Sequence, residues 1–305
     1  MTPAALLLAG LPVEAEVAAR EALAALESSE ARVGLVRALV ALGRPADAAE
    51  AAEPLPRDAP HEKVAHALVA LANGEPSRAR AMLQAPRQPD DMLVLLTAAE
   101  VARAAGDAAD GTQHAGRARE LAEGLDEPRW VAAADLQLAR CVADSGDTGL
   151  GRSLAERAHA AFRLFCPGTV LEADALDVCG ALARKDGEPE AAVGFHERAL
   201  AVWRDAVGED HPLVAGCHYS LSQALHRSGD FRRALTEMQH AFLLTQRAFG
   251  ADHLDTWITR FELGRMEVDN GEMLDGFPRM EAARAEVARR LGRQHPIVRA
   301  MDRFL

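Results

Sequence analysis

Aromatic side chains are scarce in this 305-residue sequence: Phe, Trp and Tyr together make up 4%, and Tyr219 is the single tyrosine. That scarcity argues against a core of large rings on strands and leaves Ala and Leu, which favour helix, to fill it. Lysine occurs at Lys63 and Lys185 alone. Arginine supplies the remaining positive charge, which reads as the imprint of a GC-rich, bacterial genome and also suits bidentate carboxylate binding. The formal net charge is −12, the opposite of the basic footprint that a general nucleic-acid binder needs. Cys141, Cys166, Cys179 and Cys217 form no CxxC pair. They read as small buried hydrophobes in a reducing compartment, not as a zinc or disulfide framework.

Signals for membranes and for chemistry are missing as well. No apolar run approaches the ~20 residues that cross a bilayer. The opening Met1–Pro12 lacks a positive n-region and leads into Glu14 and Glu16, so it reads as the end of a helix and the protein as cytoplasmic. The chain holds no GxxxxGK[ST], no GxGxxG after a strand and no GxSxG elbow. His61 and His66 stand five apart, whereas two histidines sharing a metal on one helix face stand four apart. No catalytic residue, cofactor or metal site is expected, and the protein is not expected to be an enzyme.

What the sequence does have is a period. Gly10, Gly43, Gly74, Gly106, Gly146, Gly187, Gly229 and Gly271 recur at intervals of 33, 31, 32, 40, 41, 42 and 42 residues, each followed five positions later by Ala or Gly. Apolar residues between them keep helical spacing: Ala234, Met238, Ala241 and Phe242 fall at i, i+4, i+7 and i+8. Such a period predicts a solenoid of stacked helix pairs, each burying its face against its neighbours. A second mark repeats every 42 residues, as Gly208-Glu209-Asp210-His211-Pro212, Gly250-Ala251-Asp252-His253-Leu254 and Gly292-Arg293-Gln294-His295-Pro296. Here Gly suits a left-handed helix end, Pro the first turn of the next helix, and Asp210 and Asp252 are available as caps. His211, His253 and His295 fall on separate repeats, so they belong to the turn and not to a shared metal.

These features resemble the tetratricopeptide repeat, and the C-terminal half resembles its longer, kinesin-light-chain-type variant. Leu221, Ser222, Leu225, Gly229, Phe231, Ala234 and Ala241 carry the likeness, with Gly180, Gly187, Ala192, Ala199 and Leu200 before them and Leu263, Gly264, Gly271 and Ala283 after. Gly111, Gly151 and Gly276 depart from it by replacing the small Ala of the second helix. The resemblance implies an all-α fold, a right-handed α-solenoid superhelix of about seven to eight antiparallel helix pairs. Residues 1–125 read as shorter, degenerate repeats. Residues 126–305 read as 40–42-residue repeats ending in a capping half-repeat from Pro296, with a candidate hinge around Leu125–Pro128. The first repeat lacks most of its first helix, as an N-terminal cap or a larger regulatory protein would leave it.

The same resemblance implies that the first helix of each pair lines a groove for a protein or peptide. Carried over by the turn glycines, the partner-facing positions are Arg37, Arg103, Arg140, Arg184, Lys185, Tyr219, Gln223, Arg227, Phe261 and Arg265. Arg forks along this row suit an acidic segment or a C-terminal carboxylate, with Tyr219 and Phe261 as apolar pockets. The competing reading pairs these arginines with carboxylates on neighbouring helices, the commoner fate of arginine on exposed helices. Trp130, Trp203 and Trp257 read as core anchors. Function divides accordingly between a non-enzymatic binding scaffold and a ligand-responsive sensor that controls an effector. Nucleic-acid and membrane partners are not expected, and the sequence leaves the oligomeric state open.

Overall fold

The computed structural model describes residues 2–26, 28–83, 91–125 and 127–305, and among the described residues there is no strand. The chain forms two compact units, which divide between Val178 and Cys179. The first contains α1 (Pro3–Leu8), α2 (Pro12–Ala25), α3 (Ser29–Ala41), α4 (Pro45–Ala52), α5 (Pro60–Ala72), α6 (Pro76–Leu83), α7 (Met92–Ala104), α8 (Ala108–Glu123), α9 (Pro128–Asp144) and α10 (Thr148–Phe165). The division falls within α11 (Val170–Lys185). The second contains α12 (Pro189–Val207), α13 (Pro212–Ser228), α14 (Phe231–Phe249), α15 (Leu254–Asp269), α16 (Met273–Leu291) and α17 (Pro296–Met301). Within each unit, sequential helices pack side by side as a helical-repeat solenoid.

One local device turns the chain inside every pair. All eight period glycines have positive φ, from +65° at Gly43 to +104° at Gly146. The residue after each donates its backbone N–H to a carbonyl five residues back, as Arg44 does to Leu39 at 2.9 Å, Asp147 to Val142 at 3.0 Å and Asp230 to Leu225 at 3.0 Å. These bonds satisfy carbonyls that a helix end would otherwise leave open, and they need a residue free to adopt left-handed backbone. Asp107, Asp147 and Asp230 serve twice, because their side chains also accept from the N–H three residues on and cap the next helix. Proline stands in the first turn of many of these helices, where its missing N–H costs nothing.

The small residue five positions later sits where the two helices touch. Ala15, Ala48, Ala79, Ala192 and Ala234 are all 0% exposed. Gly111, Gly151 and Gly276 are buried at the same place, and two of them explain their departure from Ala. A Cβ on Gly276 would lie 2.6 Å from the Gly264 carbonyl oxygen, and one on Gly111 would lie 3.0 Å from Cys141 Sγ. At Gly276 the facing backbone excludes even a methyl group, and at Gly111 a methyl group would press on Cys141.

The turns between pairs differ from the sequence expectation in two ways. Gly208, Gly250 and Gly292 do not take the left-handed helical conformation: φ is +86°, +89° and +88°, but ψ is 163°, 167° and 148°. That extended, positive-φ region is more strictly reserved for glycine than the helical one. The caps are also histidines, not Asp210 or Asp252. Nδ1 of His211, His253 and His295 accepts the N–H of Leu213, Asp255 and Ile297 at 3.1, 3.2 and 3.3 Å. An imidazole reaches the N–H two residues on from a cap position in extended backbone, and Nδ1 must be unprotonated to do so.

Between the shorter and longer repeats lies Asp126, outside the described residues. Around it the first unit is tied by charge. Asp135 on α9 is 1% exposed, and it accepts from Arg119 Nε on α8 at 2.9 Å and from Arg157 Nε on α10 at 2.7 Å. Beside it opens a mostly apolar cleft of about 280 Å³, lined by Leu125, Val131, Ala132 and Ala161. At the C-terminal end, Val298 and Met301 of α17 pack onto Met280, Ala283 and Val287. Trp203 is buried, while Trp130 and Trp257 pack partly exposed against the core. All four cysteines are buried free thiols, and burial pushes Cys141 up to about 11. No helix among the described residues is long and apolar enough to cross a membrane.

Two stability outcomes follow. An added Cβ meets nothing within 4 Å at Gly229 or at Gly250, so Gly→Ala at these sites probes backbone strain alone. Gly229→Ala should cost about 1 kcal/mol and Gly250→Ala about 2–3 kcal/mol, because only the latter forces the extended positive-φ region. Urea midpoints compare them, and equal losses would refute the distinction. Asp135→Ala should cost about 2–3 kcal/mol by removing charge-assisted bonds to two arginines, read as a lower thermal midpoint. A change within error would mean that solvent holds Arg119 and Arg157 equally well.

Candidate functional site

The candidate partner-facing residues lie on first helices, and the structure separates them by how fully their charges are already met. In the first unit, Arg140 on α9 is committed. It bonds Asp174 and lies 3.4 Å from Gln137 Oε1. Burial pushes its pKa down, yet Asp174, Glu100 and Asp177 together hold it above the usual guanidinium value. Arg103 on α7 lies 3.6 Å from Asp144, and its buried Nε has no hydrogen-bond partner among the described residues. Arg37 on α3 makes no hydrogen bond or ion pair among the described residues, and burial lowers it to about 10 against the pull of Asp91.

In the second unit, Arg265 on α15 is 8% exposed and fully engaged. Its Nε donates to Glu262 at 2.8 Å, Nη2 to Gln223 at 3.0 Å and Nη1 to Asp269 at 3.4 Å. Gln223 on α13 completes the ring by donating Nε2 to Glu262 at 2.7 Å. His226 joins α13 to α15 a second time, with Nε2 2.7 Å from Asp269. The Phe304 ring lies 5.1 Å from the Arg265 guanidinium carbon. Glu262, the acceptor at the centre of this network, was absent from the residues singled out by sequence. Its spacing three before Arg265 on one helix was the available signal.

Beside that satisfied network stand groups that are not satisfied. Arg184 on α11 is half-buried and makes no hydrogen bond or ion pair among the described residues. Burial lowers its pKa, and the pull of Tyr219 and Glu262, set against the push of Arg227 and Arg265, does not restore it. Arg227 is exposed and likewise unpaired among the described residues. Tyr219, half-buried on α13, makes no hydrogen bond among the described residues; burial and Glu262 push its phenol well above its ordinary value, so it stays a neutral donor. Lys185 is exposed at the end of α11. Phe261 corrects the sequence expectation of a pocket residue. It is 0% exposed and packs with Leu254, Met280 and Val298 in the core.

The second unit thus sets two guanidinium groups and a neutral phenol without hydrogen bonds among the described residues beside a network that ties α13 to α15. The tetratricopeptide-repeat model matches residues 171–242, which include α12 and α13 and most of α11 and α14. No curated protein matches the chain. Among solved structures it is similar to the Rap protein complexed with Competence and Sporulation Factor, with 12% identity and a TM-score of 0.67 over 99% of this chain and 97% of that one. It is similar to a chain of the APC/C hetero-tetramer Cut9-Hcn1, at 12% identity and a TM-score of 0.65, over 98% of this chain. The chain spans about half of that one, 54%. BtubC (BKLC) from P. vanneervenii matches at 18% identity and a TM-score of 0.54, over 80% of this chain and 90% of that one. At such identities the likeness is one of fold. The chain thus carries a tetratricopeptide-repeat match over residues 171–242 within a fold like that of helical-repeat solenoids.

Proposed function

We propose that this chain is a non-enzymatic scaffold that binds a protein or peptide segment along its first helices, with an acidic stretch or a C-terminal carboxylate as the recognised feature. The observation that carries this reading is the contrast between neighbours. Arg265 spends its donors on Glu262, Gln223 and Asp269, whereas Arg184 and Arg227 spend none among the described residues. Desolvating a guanidinium costs free energy that an incoming carboxylate returns through charge-assisted bonds. Tyr219 is close enough to influence Arg184 and offers a hydroxyl donor to the same ligand. The net charge of −12 opposes nucleic acid as that ligand.

A sensor reading, in which ligand binding changes the arrangement of the helices and so controls an effector, draws support from one comparison. The fold likeness to Rap, solved in complex with a factor, extends over nearly the whole of both chains. A sensor compacts measurably by small-angle scattering when ligand binds, whereas a scaffold keeps its dimensions.

Binding is tested with a fluorescein-labelled library of short Asp- and Glu-rich peptides bearing free C-termini, read by polarisation. The best wild-type ligand should weaken about 10- to 100-fold in Arg184→Gln and in Arg227→Gln, the equivalent of one charge-assisted bond each. Its affinity should also fall between about 0.05 M and about 0.5 M salt, as screening shortens. Equal affinity in wild type and both variants, or the absence of any binder, would overturn the reading.

A further inference from the structure

The second unit carries a side-chain cluster away from the arginines just described. His218 on α13 is 3% exposed, and its Nδ1 lies 2.5 Å from Glu237 Oε2 on α14. Glu237 is half-buried, and His240 is exposed three residues further along the same helix, the spacing at which two side chains share a face. The His218 and His240 rings meet edge to face, 5.3 Å between centroids. One ligand atom from each of the three residues can be chosen so that all lie within 4.8 Å of one another.

We propose that His218, Glu237 and His240 form a zinc site that staples α13 to α14. Two imidazoles and a carboxylate are a donor set that zinc takes with a fourth position left to water, and the exposure of His240 leaves that position open to solvent. A Glu-x-x-His pair on one helix facing a ligand on the next is a known way to hold a metal between packed helices. Arg204 on α12 stands against the cluster, its Nη2 3.4 Å from His218 Nε2. The same Nη2 lies 3.0 Å from Glu209, which offers the guanidinium a place to withdraw. Coordination through His218 Nδ1 moves that ring's proton to Nε2, breaking the contact with Arg204 and the bond to Glu237; Glu237 then faces the metal. Ligand atoms move apart from hydrogen-bond distance to the wider separation of a tetrahedral site, a shift that side-chain rotation of Glu237 and His240 supplies.

The test is calorimetric titration of the chelator-stripped full chain with Zn²⁺, together with thermal melts. Wild type should bind one equivalent and gain thermal stability with rising zinc, as any ligand specific to the folded state confers. Glu237→Gln and His240→Ala should each weaken zinc by at least about 10- to 100-fold, since loss of a ligand costs no less than loss of its supporting shell. His240 is exposed, so His240→Ala should melt like wild type without metal, which separates lost coordination from lost folding. Absence of a saturable zinc signal in wild type would overturn the proposal. So would zinc binding of equal affinity in both variants, which would put the metal on other histidines.

Discussion

Every helix pair in this protein depends on one backbone constraint: a residue at positive φ that lets the chain reverse in two or three positions. The N–H after it closes on a carbonyl five residues back, at Leu39, Val142 and Leu225 as at the other turns. With so short a reversal, the two helices must lie against each other along their length. That in turn forces a small residue five positions on, which is why Ala234 and its equivalents are wholly buried. The repeat is thus a chain of consequences from one torsion angle. Glycine supplies that angle without steric cost, and each further element is what close packing then permits.

Charge is the second organising term, and it is distributed unevenly. Asp135 is sunk between Arg119 and Arg157, and Arg265 sits inside a ring of acceptors. Both hold adjacent helices in register, and both have little left to offer a ligand. The arginines without carboxylates are therefore informative by contrast. A surface that meets its own charges in one place and leaves them unmet in the next directs a partner to the second place. That logic underlies the assignment of Arg184 and Arg227 over Arg140, which Asp174 has already claimed.

Much of the fold was legible because its signal is local. Period glycines, the small fifth residue and helical spacing all act over fewer than ten residues, and the eight turns lie where the spacing puts them. The finer turn chemistry was less legible. Gly208 and Gly229 look alike in sequence, but ψ of 163° and 3° separates them. His211 outcompetes Asp210 for the cap because it alone stands at the cap position. Sites were harder still. Alignment by the turn fixes a residue's height along the helix but only roughly its direction, so Phe261 was placed at the surface with Arg265, one turn away. Both are in fact buried, and only the length and charge of Arg265 carry its head to Glu262 and Asp269. The His218, Glu237 and His240 cluster was invisible for a related reason. Glu237 and His240 share a Glu-x-x-His spacing on α14, but His218 joins them across a turn, by a register of two helices that no spacing motif encodes.

The buried thiols have a consequence of their own. Cys141 lies in α9 and Cys166 follows α10 in the first unit, while Cys179 lies in α11 and Cys217 in α13 in the second, so each unit carries two at different helices. A thiol reagent reaches each only when its surroundings open, and nearest-neighbour stacks open piecewise as well as globally. Nature has in effect supplied this chain with four internal clocks. Their separate alkylation rates would chart where along the sequence breathing begins, with no label added and no residue changed.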